Sequence, residues 1–133
     1  MRFWLRAAIG WTVMILALCW MPRSVVATAG EETRLFKIPN FDKLVHLSLF
    51  VGFAFLWLKA SIGPRRYLYV FLGGLALAVG SELGQLSGFV NRDARLDDGV
   101  FDMLGVLLGF AAYRLVDRRE AIADAPLTQT EAS

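Results

Sequence analysis

SELGQLSGFVNRDARLDDGVFDMLGVLLG, residues 81–109, sets ionisable groups between two apolar blocks, and its reading decides the fold. Glu82 and Gln85 are three apart and Asp98 and Asp102 four apart, so each pair shares a helix face. From Asp98 and Asp102 the same stripe continues through Gly105, Gly109 and Ala112 at three-four spacing. Acids at one end of a stripe of small residues suit a helix that packs closely on a neighbour within a membrane and turns its charges inward.

Working outward, the chain divides into four apolar blocks, at residues 3–21, 44–58, 67–85 and 98–116. Its 133 residues suggest one domain. Hydrophobic residues make up 56% and the mean hydropathy is +0.51, above the roughly 45–50% apolar content of soluble domains. The expected fold is therefore all-α, an integral membrane bundle of four transmembrane helices over residues 1–119. Residues 120–133 read as a disordered tail. A net charge of +2, with its basic residues scattered over chain ends and loops, gives no case for nucleic acid. One histidine and one cysteine, His46 and Cys19, argue against structural zinc, and no metal or cofactor is expected.

Upstream, Asp42-Lys43-x-x-His46-x-x-x-Phe50 places an acid and the single histidine one turn apart at the head of the second block. Together with Glu82-x-x-Gln85, Arg92, Asp98, Gly105 and Gly109, it resembles the VanZ-like family of small bacterial membrane proteins, over about residues 39–116. Two features depart from that pattern. Asp102 stands where the family usually has asparagine, and Arg92 falls two residues later after Glu82. The resemblance implies four spans in the bacterial cytoplasmic membrane and an association with resistance to glycopeptide antibiotics, teicoplanin in particular. It supplies no reaction.

The first block, preceded by Arg2 and Arg6, is also built like a secretory signal, with Ala27-Thr28-Ala29 as an A-x-A site. The four implied spans favour its retention as a first helix. Small-residue faces, Ala76-Gly80-Gly84-Gly88 and Gly74-Ala78-Glu82, run down both sides of the third block. They suggest a central helix and offer faces for oligomerisation. Eight basic residues flank the N-terminus, the turn at residues 59–66 and the end of the last block, against six in the other two loops. That majority puts both termini inside.

In an alternating bundle Asp42 and His46, Glu82 and Gln85, and Asp98 and Asp102 all come to one side, just below the outer surface, with Arg92 over the mouth. Plainer roles exist for each. Asp42 and Asp98 suit helix N-termini, His46 can bond Asp42, Gln85 suits the interface, and Arg92 can neutralise nearby acids. Glu82 is hardest to account for so simply, because an acid within a span costs on the order of 2.5–3.5 kcal/mol. Asp102 in its protonated form offers the donor and acceptor pattern of an asparagine. The leading expectation is a pocket for a membrane lipid headgroup, a lipid-linked cell-wall precursor or a lipophilic glycopeptide. The competing ones are an acid–base enzyme on a lipid-linked substrate, with carboxylates able to take Mg²⁺, and a proton- or ion-coupled transporter.

Overall fold

The computed structural model describes residues 2–21, 41–85 and 96–123. Among them the chain is entirely helical: α1 Arg2–Cys19, α2 Phe41–Ala60, α3 Arg66–Gln85 and α4 Leu96–Ala123. Each helix is long and apolar enough to cross a membrane. The helices follow the four blocks, alternating in direction. The heads of α2 and α4 meet at one end through His46 and Asp102. The tails of α2 and α4 meet at the other through Lys59 and Glu120. Between α2 and α3 the chain turns at Gly63, whose φ of 109° lies where a side chain would be strained.

Both α2 and α3 touch every other helix, as the two small-residue faces of α3 suggested, but α2 packs the most extensively and is the centre of the bundle. Phe50, Leu58, Ile15 and Val106 are fully buried, so the core lies along α2 between α1 and α4. Glycine makes the α2–α4 approach possible. A Cβ on Gly105 would lie 2.5 Å from the Leu47 carbonyl oxygen, and one on Gly109 would lie 2.7 Å from that of Val51. The stripe read from the sequence is thus a close-packing face. On the other side of α2, the Trp11 indole donates to the Leu49 carbonyl at 2.8 Å and covers Gly52. Trp57 donates to Thr12 at 3.0 Å, and Thr12 in turn to Ala8 O at 2.8 Å, so these polar groups are satisfied inside the bundle.

On α3, Gly74 packs under Val106 and Ala78 is buried, as expected of one stripe. The other stripe packs only at Gly84, against the Trp20 ring, while Gly80 faces open space; Gly88 lies outside the described residues. The reason is that α1 leans on α2 through its tryptophan bonds. That leaves a groove of about 550 Å³ between α1 and α3. The last helix also runs on through Ala123, past its expected end near residue 116. Residues 120–123, expected in the tail, are helical because Lys59 pairs with Glu120 at 2.7 Å and the segment is rich in helix-favouring Ala, Arg and Glu. Residues 124–133 lie outside the described residues.

Two alanine substitutions separate these glycine faces. Gly109→Ala should cost about 1–3 kcal/mol through overpacking on the α2 backbone. Gly80→Ala, with nothing within 4 Å of the new methyl, should be neutral or stabilise by up to about 1 kcal/mol. Thermal unfolding of the purified variants checks this, and similar losses at both sites would refute the assignment of faces.

Candidate functional site

The site is built where α4 begins against α2. Because Gly105 lets α4 rest on the Leu47 carbonyl, the residue one turn earlier, Asp102, comes level with His46. His46 Nδ1 and Asp102 Oδ1 lie 3.0 Å apart and share one proton in a hydrogen bond between residues 56 positions apart in the chain. Asp102 is 0% exposed, Asp98 7% and His46 9%, so two carboxylates and an imidazole are packed together at the head of the bundle. Only the imidazole edge and Asp98 reach the surface at all.

Two oxygens of this group stand out. Asp98 Oδ1 and Asp102 Oδ2 are buried without a hydrogen-bond partner among the described residues. An unmade hydrogen bond on a buried group costs about 1–3 kcal/mol, so both atoms mark places where a donor is favoured. Carboxylate oxygens accept N–H and O–H groups and repel anions. On the neighbouring turn of α2, the Lys43 ammonium sits 5.3 Å from the centre of the Phe101 ring, beside Asp102 in sequence.

Glu82 comes to the same end from α3. It is half-buried on the wall of an apolar groove of about 420 Å³, whose opposite wall includes Gly99, Val100 and Met103. Gly99 and Met103 directly follow Asp98 and Asp102, so the groove opens beside the buried pair, around the side of α4. Its volume falls within the range of about 300–1,000 Å³ typical of small-molecule sites. Met103, Leu104 and Leu107 make it a slot for an apolar chain with one acid near its mouth.

Of the seven residues singled out from the sequence, His46, Asp98 and Asp102 are brought together and Glu82 is placed beside them. Asp42 and Gln85 belong to α2 and α3, but their side chains lie outside what is described, and Arg92 lies outside the described residues altogether. No group of three His, Cys, Asp or Glu side chains that could hold a metal ion occurs among the described residues.

The sequence reading passed over a second constellation at the opposite end. There Arg66 and Arg114 lie 5.4 and 5.1 Å from the Tyr67 ring centre, and Arg66 and Lys59 lie 5.0 and 5.8 Å from that of Tyr113. The signal was present in the dipeptides Arg66-Tyr67 and Tyr113-Arg114, each at the end of an apolar block, where aromatic and basic residues gather at membrane interfaces. Compared with known proteins, the chain matches no family model, no curated protein and no solved structure.

The buried pair gives a direct test of coupling. Asp102→Leu strands the His46 Nδ1 and should lower stability by about 1–3 kcal/mol. Added to His46→Leu it should cost less than the sum of the two single changes, by roughly 0.5–3 kcal/mol. Denaturation of the four proteins measures the cycle, and additivity would mean that the hydrogen bond contributes nothing.

Proposed function

We propose that the chain is a VanZ-like, four-span membrane protein of the bacterial cell envelope that binds the head of an amphiphile at its outer end. The observation that carries this reading is the buried His46–Asp102 pair, with unpartnered oxygens on Asp98 and Asp102, beside an apolar groove. The acids would take the hydroxyl, amine or amide groups of a head, and the α3–α4 groove its chain. A lipid headgroup, a lipid-linked cell-wall precursor and a lipophilic glycopeptide all combine these two chemistries. The motif resemblance to the VanZ-like family points the same way.

The outward faces support insertion. Leu68, Leu72, Leu75, Val79 and Leu83 form an exposed stripe down α3. Left half-exposed to water, five such side chains forgo roughly 5 kcal/mol of burial. That is comparable with the whole net stability of a domain, about 5–15 kcal/mol; facing lipid, they cost nothing. Lys59, Arg66 and Arg114 share the end opposite the acids, and that distribution supports an inner position for both termini.

The His46–Asp102 bond also favours a second reading, an acid–base enzyme. An imidazole held by a buried carboxylate is the usual arrangement of a general base. Asp102→Asn separates the two. An asparagine still accepts from His46, so binding survives, whereas an imidazole deprived of its anionic partner is a weaker base.

Single cysteines at Ser24 and Asn91, in a Cys19→Ser background, should label from outside intact cells; labelling only after permeabilisation would overturn the orientation. Mass spectrometry of the gently purified protein should find a co-purifying amphiphile that is retained in Asp102→Asn and lost in Asp98→Asn and Glu82→Gln. Retention in all three variants would remove the acids from the site. Turnover of a lipid-linked substrate that disappears in Asp102→Asn would favour the enzyme.

A further inference from the structure

At the end of the bundle away from His46, the tails of α2 and α4 meet the heads of α1 and α3 around two tyrosine rings. Tyr113 is buried, packs edge-on to Phe55 with centroids 6.2 Å apart, and donates its hydroxyl to Asp117 Oδ1 at 3.1 Å. Tyr67 stands against it at 6.4 Å and against Phe110 at 5.3 Å, both edge-to-face. The rings are thus fixed by the fold, and cations are arranged over them. Lys59 lies 5.9 Å from the Trp4 ring and 5.8 Å from that of Tyr113, and its charge is met by Glu120.

The two guanidiniums differ from Lys59. Arg66 lies within 5.4 Å of the Tyr67 ring centre and Arg114 within 5.1 Å, so two cations share one ring. Among the described residues neither has a carboxylate within salt-bridge distance; of the acids of this end, Glu120 pairs with Lys59 and Asp117 accepts the Tyr113 hydroxyl. Like charges on one ring repel, and an anion between them removes that repulsion. The first turn of α3, which Arg66 opens, contains no acid, so its dipole adds to the positive field. Eight basic residues belong to this end, against Asp117 and Glu120 among the described residues.

We propose that Arg66 and Arg114, held on the Tyr67 ring, form a binding site for the phosphodiester of an anionic phospholipid. Guanidiniums present planar sets of N–H donors that match phosphate oxygens, and rings that fix their positions lower the entropy lost on binding. The partner is a lipid because the rings belong to apolar helices at the end where basic residues accumulate. In the orientation argued above, that end meets the anionic inner leaflet. The inference rests on the membrane reading and is independent of the amphiphile site at the other end.

Native mass spectrometry of the full chain in detergent, titrated with phosphatidylglycerol or phosphatidylcholine of identical acyl chains, tests it. Phosphatidylglycerol should be retained about 30-fold better, the preference that two cations near an anionic head confer. The double variant Arg66→Gln/Arg114→Gln should fall to the phosphatidylcholine level. Arg118→Gln/Arg119→Gln removes the same charge from exposed positions and should keep the preference. Arg114 is exposed, so Arg114→Gln alone tests the site without risk to folding and should lose several-fold. Millimolar inorganic phosphate should not displace the lipid. Equal retention of the two lipids, equal loss in both double variants, or displacement by free phosphate would each overturn the proposal. A chain that does not enter membranes overturns the membrane reading instead, and this proposal with it.

Discussion

Gly105 and Gly109 bring the backbone of α4 against the Leu47 and Val51 carbonyls, and the meeting of His46 with Asp102 follows from that approach. His46 is the residue before Leu47, and Asp102 lies three before Gly105. A side chain on Gly105 that pushed the helices apart by about 1 Å would stretch their 3.0 Å contact beyond hydrogen-bond range. The two helices would then lose both their packing and the His46–Asp102 hydrogen bond. In the membrane setting proposed above no hydrophobic effect would compensate, since lipid is as apolar as the core. Close backbone packing and the polar pair are therefore two parts of one structural device.

That device was half legible in the sequence. The spacing of Asp98, Asp102, Gly105 and Gly109 fixes which residues share a face of α4, because helical geometry alone determines it. The partner of that face was not legible. Spacing relates His46 to Asp42 on its own helix, and only the relative rotation of α2 and α4 brings it to Asp102. The same limit explains α3. Its glycines and alanines show where a neighbour could come close, and not whether one does; the tryptophan bonds between α1 and α2 decided that. At the far end, Arg66-Tyr67 and Tyr113-Arg114 each read as ordinary interfacial pairs. Their convergence depends on the axial register of α3 against α4, which no local pattern encodes.

The two ends of the bundle are chemically opposite. At the head of α4, acids lie buried with unmet acceptor oxygens. At its tail, guanidiniums and an ammonium rest on aromatic rings. Along α4, Arg114 follows Asp98 and Asp102 by 16 and 12 residues, roughly 18–24 Å at helical rise and most of the about 30 Å thickness of a hydrocarbon core. Acids and cations so far apart do not neutralise each other. Each end must find its counter-groups among whatever lies at its own surface, so the distribution of charge in the fold is itself an argument about surroundings.

That polarity constrains how an amphiphile could lie in the protein. A phosphate would be repelled by Asp98 and Asp102, so the head seated there must present donors: hydroxyls, amides or amines. Its apolar part has a path beside it, because Gly99 and Met103 turn from the acids to the α3–α4 groove within one residue. Asp102 itself, with no exposed surface, meets neither head nor chain through the Oδ1 that holds His46. It acts through His46, holding the imidazole in place, and an asparagine could hold it as well. The two aspartates sit one helical turn apart on the same face, yet Asp102 holds the imidazole through Oδ1 while Asp98 Oδ1 has no partner among the described residues.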